Sequence, residues 1–464
     1  MDWQILQQDA SGHACIGLAG HWTTKESMGL LGAGGGAVEI RLVREETGAP
    51  VNPGLDWHAA ETDAEGAWRG ALDQVPAGGP YRLETRFNPK GNKLGEWSLR
   101  GDMRHFLGVG DLWIIAGQSN ASGYGRAAYD DAPEIGLHMQ RHHGAWTLAA
   151  HPLSDATASI FPAVRETYNT GHSPFLQFAR ILKRESGHPI GLLPAALGGS
   201  PLEAWHPERG ALFANLKAMV DRAGGRVKGL VWYQGETDAE PGKAEDYFDR
   251  FMASASGWRQ ALAQAGLPIL TVQLARYRSD KPGGEDREWS LVREAQRQAA
   301  LRDPDTFTVP ALDLPLDDTI HIGTAGNLIL GARLAACALG TVYGGRKAVG
   351  PKSPDTGSWA WRAPDLEAAT LEGPQGVRLR FSPVLSRLDT LDPKARPFRV
   401  EDAEGVVAIH KVLYFQRDSV RLDLARPVKG EVYVSAGYGE DPDTMPVDVE
   451  RLLPILAFHR VRAV

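Results

Sequence analysis

At 464 residues the chain has room for about three domains. Its 57 acidic and 50 basic residues leave a net charge of −7, with 23% charged and 43% hydrophobic residues. That balance excludes a disordered chain and gives nucleic acid no basic surface. The 53 glycines and 30 prolines exceed the usual shares of roughly 7% and 5% and predict many turns. The 13 tryptophans exceed what one core uses, which points some of them to a binding surface.

The first 105 residues read as β. Val38–Val43 alternates apolar and polar residues, and Gly66–Val75 and Pro80–Phe87 flank a Gly-Gly-Pro turn. The glycine run Gly32–Gly36 precedes a strand and no helix, so it is a turn and not a phosphate loop. From about residue 108 strands alternate with helical patterns. Strands are predicted at Leu112–Ala116, Ile190–Leu197, Val227–Tyr233, Pro268–Leu274 and Phe307–Leu312. Helices are predicted at Ser173–Glu185, Ala211–Ala223, Ala244–Ala265, Ser290–Arg302 and Ala325–Leu339. This order predicts βαβ units, a mostly parallel sheet, and a ligand site at the carboxyl ends of its strands. A Pro-, Gly- and Ser-rich linker spans Gly350–Pro364. Beyond it Val377–Phe381, Phe398–Asp402, Val406–Tyr414, Val420–Leu424 and Glu431–Ala436, with turn signals between them, predict a sandwich. The expected division is an N-terminal β domain over 1–107, a catalytic α/β domain over 108–350, and a linker with a C-terminal β-sandwich over 351–464.

The chemistry concentrates after the predicted strands. Gly117-Gln118-Ser119-Asn120 follows the buried strand LWIIA, so the Ser119 hydroxyl sits where such folds place reacting groups. It is not the Gly-x-Ser-x-Gly elbow, because Ala121 stands at the second glycine. Asp318-Thr319-Ile320-His321 follows the fifth strand. A carboxylate three residues before an imidazole can hold its Nδ1–H while Nε2 faces a serine. Gly198-Gly199-Ser200 after the second strand and Trp232-Tyr233-Gln234-Gly235-Glu236 after the third can supply oxyanion donors, the latter through the Gln234 amide.

Together these segments resemble the SGNH hydrolases, and within them the sialate O-acetylesterase-like carbohydrate esterases. The resemblance rests on GDLWIIAGQSN (Gly110–Asn120), GGSPLEAW (Gly198–Trp205), VWYQGETD (Val231–Asp238) and DDTIH (Asp317–His321), in this order. It implies a flavodoxin-like three-layer α/β/α core with a parallel sheet, flanked by β-sandwich-like domains. It implies Ser119 as nucleophile, His321 as general base and Asp318 as orienting acid, with Glu236 a rival for the acid role. The Ser119 and Gly199 backbone N–H groups and the Gln234 side chain become the oxyanion donors. The implied activity is removal of O-acetyl groups from carbohydrate through an acetyl-serine; plant-polysaccharide acetyl groups such as those of xylan, or a non-catalytic sugar-binding role, are the alternatives. Trp205, Trp232 and Asn120 are candidates to line the substrate pocket, with Tyr124, Arg126, His172 and His206 as further neighbours.

No cofactor is needed for this chemistry. No metal is predicted, because no HExxH or CxxC occurs and His142-His143 would face opposite ways on a strand. Cys15 and Cys337 lie in apolar company and are expected to be buried free thiols. The expected partner is an acetylated carbohydrate, with no nucleic acid and no membrane. No stretch reaches 18 apolar residues, and the N-terminus has no basic or apolar leader pattern. That fits a cytoplasmic protein or one whose leader has been removed. The sequence carries no signal for oligomeric state.

Overall fold

The computed structural model describes residues 1–22, 36–63, 65–89, 99–127, 129, 131–166, 171–280, 283–344 and 361–464. Most of the glycine run Gly32–Gly36 and of the linker Gly350–Pro364 lies outside them. The central sheet is built from β1 (Leu99–Gly117), β2 (Leu137–Gln140), β3 (Trp146–Leu148), β4 (Ile190–Pro194), β5 (Gly229–Tyr233), β6 (Ile269–Gln273) and β7 (Thr306–Pro310). Its order is β3-β2-β4-β1-β5-β6-β7. Every pair is parallel except the β2–β3 hairpin. β4, β5 and β6 are buried at every position, the pattern expected of parallel strands covered on both faces.

The helices are α1 (Ser119–Ser122), α2 (Phe175–Ser186), α3 (Ala211–Ala223), α4 (Tyr247–Ala261), α5 (Asp286–Arg302) and α6 (Thr324–Thr341). α2 shows why these segments coil. Phe175, Phe178, Ala179 and Leu182 recur at helical spacing and are buried. Lys183 and Arg184 complement the dipole of its last turn, and Gly187 at φ 78° ends it. α2 packs against α6, and α4 against α5. Among the described residues no helix is long and apolar enough to cross a membrane.

Two features depart from the expected layout. The strand read as Leu112–Ala116 is the inner end of the 19-residue β1. Its outer half alternates in burial and pairs antiparallel with Gly78–Pro89, whereas its inner half is wholly buried in the central sheet. Position 107 therefore falls inside a continuous strand. The β2–β3 hairpin adds an edge that the sequence pattern did not reveal.

Smaller antiparallel sheets flank this core. Near the N-terminus His13–His21, Ala67–Pro76 and Glu61–Thr62 pair in one sheet. After the linker, one sheet joins Asp365–Leu371, Gly376–Ser382, Ser419–Leu424 and Ile409–Phe415, and another joins Gly405–Val407, Phe398–Asp402, Val432–Ala436 and Phe458–Ala463. Both contribute to one apolar cluster that includes Leu379, Phe381, Val400, Leu422, Val434 and Phe458. The C-terminal segment is fixed to the core by buried polar groups. Gln273 exchanges two 2.9 Å hydrogen bonds with the Ala457 backbone. The fully buried Arg293 donates to the Gly437 and Glu440 carbonyls and to those of Leu274 and Ala275.

Cys337 is buried as expected, but Cys15 is exposed. On the strand His13–His21 the neighbours Ala14 and Ile16 face inward, so strand alternation turns the thiol outward.

Candidate functional site

Because the strands are parallel, the loops after β1, β4, β5 and β7 emerge on one edge of the sheet. β4 and β5 flank β1, so the 195–200 and 234–238 loops lie on either side of the Gly117–Asn120 turn. β7 is two strands beyond β5, and its loop must be drawn back across the edge to reach that turn.

The turn supplies the tethers itself. The Gly117 carbonyl accepts from Leu197 N at 3.1 Å and from Ser200 Oγ at 3.3 Å. Gln118 Oε1 accepts from Thr237 N at 3.2 Å and Gly235 N at 3.5 Å. Asn120 grips the backbone on both sides of His321, donating to the Ile320 carbonyl at 3.2 Å and accepting from Ile322 N at 3.0 Å. Asn120 is thus 3% exposed with its amide fully used, so it is a positioning residue and not a pocket wall. Gly117 itself has φ 128°, and a Cβ there would lie 2.0 Å from the Tyr233 carbonyl oxygen. Gly117→Ala is expected to cost about 3 kcal/mol or more in unfolding free energy, measured by urea titration.

His321 Nδ1 lies 2.8 Å from Asp318 Oδ2. The other oxygen, Asp318 Oδ1, accepts from Ile320 N at 2.9 Å and His321 N at 2.8 Å. Burial raises the Asp318 pKa, but these backbone donors and the imidazole outweigh it and hold the carboxyl at about 2. Arg126 also donates to Asp318 Oδ2 at 2.9 Å while its own side chain stays exposed. Tyr124 stacks on the His321 ring with centroids 4.6 Å apart. A Cβ on Gly198 would come within 3.1 Å of the Tyr124 hydroxyl, so the glycine loop reaches the same locality. Ser119 is 8% exposed at the start of α1. Neither the Ser119 nor the Gly199 backbone N–H has a hydrogen-bond partner among the described residues. Gly199 sits at φ 65° with open space around it.

Two further expectations need correction. Gln234 is fully buried, and its amide donates to Asp238 Oδ2 at 2.6 Å and the Ser200 carbonyl at 3.2 Å. Tyr247 donates to its Oε1 at 3.0 Å. The amide therefore braces two loops and has no donor left for an oxyanion. Trp205 and Trp232 are both fully buried, edge to face at 5.4 Å, with Trp258 against Trp232 at 4.7 Å. They are core pillars, and Trp205 Nε1 donates to Ser200 Oγ at 3.1 Å beneath the glycine loop. The aromatic count could not tell a pillar from a sugar platform. Glu236 makes no hydrogen bond or ion pair with His321 among the described residues; its Oε1 accepts from Asn120 Nδ2 at 2.8 Å.

Glu236 Oε2 is buried without a hydrogen-bond partner among the described residues. Burial pushes its pKa up to about 7, against the lowering effect of the Asn120 hydrogen bond, and the nearby Asp238 charge pushes the same way. A carboxyl with a raised folded-state pKa loses stability as pH climbs from its unfolded value toward the folded one. Glu236→Gln removes that titration. Its urea midpoint is expected to improve relative to the parent between about pH 4.5 and 7 and to level off above.

Comparison with known proteins finds similarity to carbohydrate esterases. The family model described as "Carbohydrate esterase, sialic acid-specific acetylesterase" matches residues 109–340. A probable carbohydrate esterase of Arabidopsis thaliana is 28% identical over 255 residues, covering 49% of this chain and 90% of its own. The sialate O-acetylesterase of Homo sapiens is 25% identical over 293 residues, covering 53% of this chain and 54% of its own, so the chain spans about half the length of that relative. A crystal structure of a carbohydrate acetylesterase from Xanthomonas citri shares the fold with a TM-score of 0.65 at 23% identity, over 99% of this chain and 98% of the other.

Proposed function

For a chain that belongs to the sialic acid-specific acetylesterase family of carbohydrate esterases, we propose a serine mechanism that removes O-acetyl groups from carbohydrate. Action on carbohydrate esters follows from the family; the acetyl specificity and the acetyl-serine route are our reading. We assign Ser119 as nucleophile, His321 as general base and Asp318 as the acid that orients it.

The observation that carries the assignment is the set of tethers made by the turn Gly117–Asn120. Gly117, Gln118 and Asn120 each bond to a different loop, and the Ser119 hydroxyl has no hydrogen-bond partner among the described residues. In the first step Ser119 Oγ attacks the acetyl carbonyl carbon and His321 Nε2 takes the hydroxyl proton. The carbonyl electron pair moves to oxygen, and we assign the Ser119 and Gly199 backbone N–H groups as its donors. The tetrahedral intermediate collapses, the C–O bond to the sugar breaks, and His321 returns the proton to the sugar oxygen. Water then repeats the sequence on the acetyl-serine, releasing acetate and restoring Ser119. Asp318, ionised at about 2, offsets the imidazolium charge in both steps.

The test is acetate release from a panel of O-acetylated substrates that includes acetylated sialosides and acetylated xylo-oligosaccharides. Turnover of one or more, with acetyl esters preferred over octanoyl esters, is the expected result. Sugar binding with no acetate release from any member, and no turnover of p-nitrophenyl acetate, would sink the reading in favour of a non-catalytic binding protein.

A further inference from the structure

We propose that Asp131, His151 and His172 form a divalent transition-metal site, best suited to Zn²⁺, beside the reacting centre and separate from it. The three residues come from three segments. Asp131 precedes β2, His151 follows β3, and His172 lies just before α2. Their candidate ligand atoms all fall within 4.8 Å of one another. His151 Nε2 is 3.3 Å and His172 Nε2 is 3.9 Å from Asp131 Oδ2. Ligands at roughly 2.0–2.2 Å from a tetrahedral ion stand about 3.3–3.6 Å apart. The first distance already fits, and the second closes by a few tenths of an ångström.

The cluster lacks the bonds that would explain it otherwise. The side chains are only 5%, 14% and 5% exposed in the order Asp131, His151 and His172. Yet all four ring nitrogens are buried without a hydrogen bond among the described residues. Native interiors pair such groups, so unpaired ones converging on one carboxylate oxygen call for a ligand. Neutral imidazole is the form that ligates metal.

The surroundings suit a metal as well. Arg180 Nη1 sits 2.7 Å from Asp131 Oδ1, which leaves Oδ2 as the single ligating oxygen. Partners of this kind commonly orient a ligating carboxylate. Two imidazoles and a carboxylate select zinc-like ions over Mg²⁺ or Ca²⁺, which prefer oxygen ligands. The site also braces the wall of the catalytic centre. The His172 backbone exchanges hydrogen bonds of 2.9 and 3.0 Å with Gly125, and Gly171 N donates to the Gly123 carbonyl at 2.7 Å. Between those glycines Tyr124 stacks on His321, and the next residue, Arg126, holds Asp318. Metal binding would pin His172, whose backbone pairs with that strip.

The experiment uses the full chain stripped by chelator and titrated with ZnCl₂, followed by calorimetry, thermal melting and elemental analysis. The expected result is one equivalent bound, a melting temperature raised by several degrees, and tetrahedral d–d absorption when Co²⁺ replaces Zn²⁺. His151→Ala and the near-isosteric Asp131→Asn should weaken binding by at least about 100-fold, while His321→Ala should leave it unchanged. Binding of less than a tenth of an equivalent at micromolar Zn²⁺ would overturn the proposal. So would undiminished binding by either ligand variant, or binding that is lost with His321→Ala.

Discussion

Ser119→Ala is expected to lower kcat for acetyl-ester hydrolysis by about 10⁵- to 10⁶-fold while leaving the fold intact. The size follows from the role proposed for Ser119 Oγ as the atom that forms the covalent intermediate. In serine proteases removal of the nucleophile alone costs about 2 × 10⁶, because the remaining triad members act only through it. A residual rate above that of water is still expected, since the Ser119 and Gly199 N–H groups belong to the backbone and survive the substitution. Stability should barely change. Among the described residues the hydroxyl makes no hydrogen bond that the alanine would break, and Ser119 opens a four-residue helix whose shape is held by Gly117, Gln118 and Asn120. Initial rates on p-nitrophenyl acetate, with mass spectrometry for a covalent acetyl adduct in the parent, check this directly. Retention of more than about a hundredth of the parent rate, in a preparation free of contaminating esterase, would remove Ser119 from the nucleophile role.

Much of this arrangement was legible because periodicity and punctuation agree in the core. Ala211–Ala223 is recovered end to end: its apolar spacing is helical, and Gly224 stops it at φ 115°. The four motif blocks were visible for the same reason, since two of them contain the end of a strongly apolar strand and the other two come within a few residues after one. What stayed hidden depends on where side chains point and what they meet. Gln234 and Trp232 are separated by one residue on β5 and its exit, but nothing in their identities says that both are enclosed. The hairpin of β2 and β3 escaped because Leu137–Gln140 carries two polar residues, His138 and Gln140, that the fold buries. His138 is held there by the Trp3 carbonyl, a partner 135 residues away. Asp131, His151 and His172 are spaced by about twenty residues each, too far for any motif, and only the folded loops bring them together. Asn120 lay within a motif, but its work is done on the backbone of residues 320 and 322, and no sequence pattern announces such a partner.

That role for Asn120 separates the two acids by experiment. Asp318→Asn is expected to lower kcat by about 10⁴-fold, the loss seen when a serine protease triad aspartate becomes asparagine. The asparagine keeps the size and one acceptor oxygen. If Oδ1 stays bonded to Ile320 N and His321 N, the amide nitrogen replaces Oδ2 opposite His321 Nδ1. A donor there favours the tautomer with its proton on Nε2, which cannot accept from Ser119, and it also turns a donor toward Arg126. The defect should persist across the working pH range. The Asp318 carboxyl sits at about 2, so it is ionised above roughly pH 4 and does not shape the profile there. Glu236→Gln should cost less than about tenfold, because the glutamine Oε1 can still accept from Asn120 Nδ2 and keep the grip on Ile320 and Ile322. Asn120→Ala should lie between the two, with kcat reduced more than KM is raised, because it frees the His321 loop without touching substrate. Steady-state rates for the three variants on one acetyl ester give the ranking. A larger loss in Glu236→Gln than in Asp318→Asn would transfer the acid role to Glu236 and require the His321 loop to move on substrate binding.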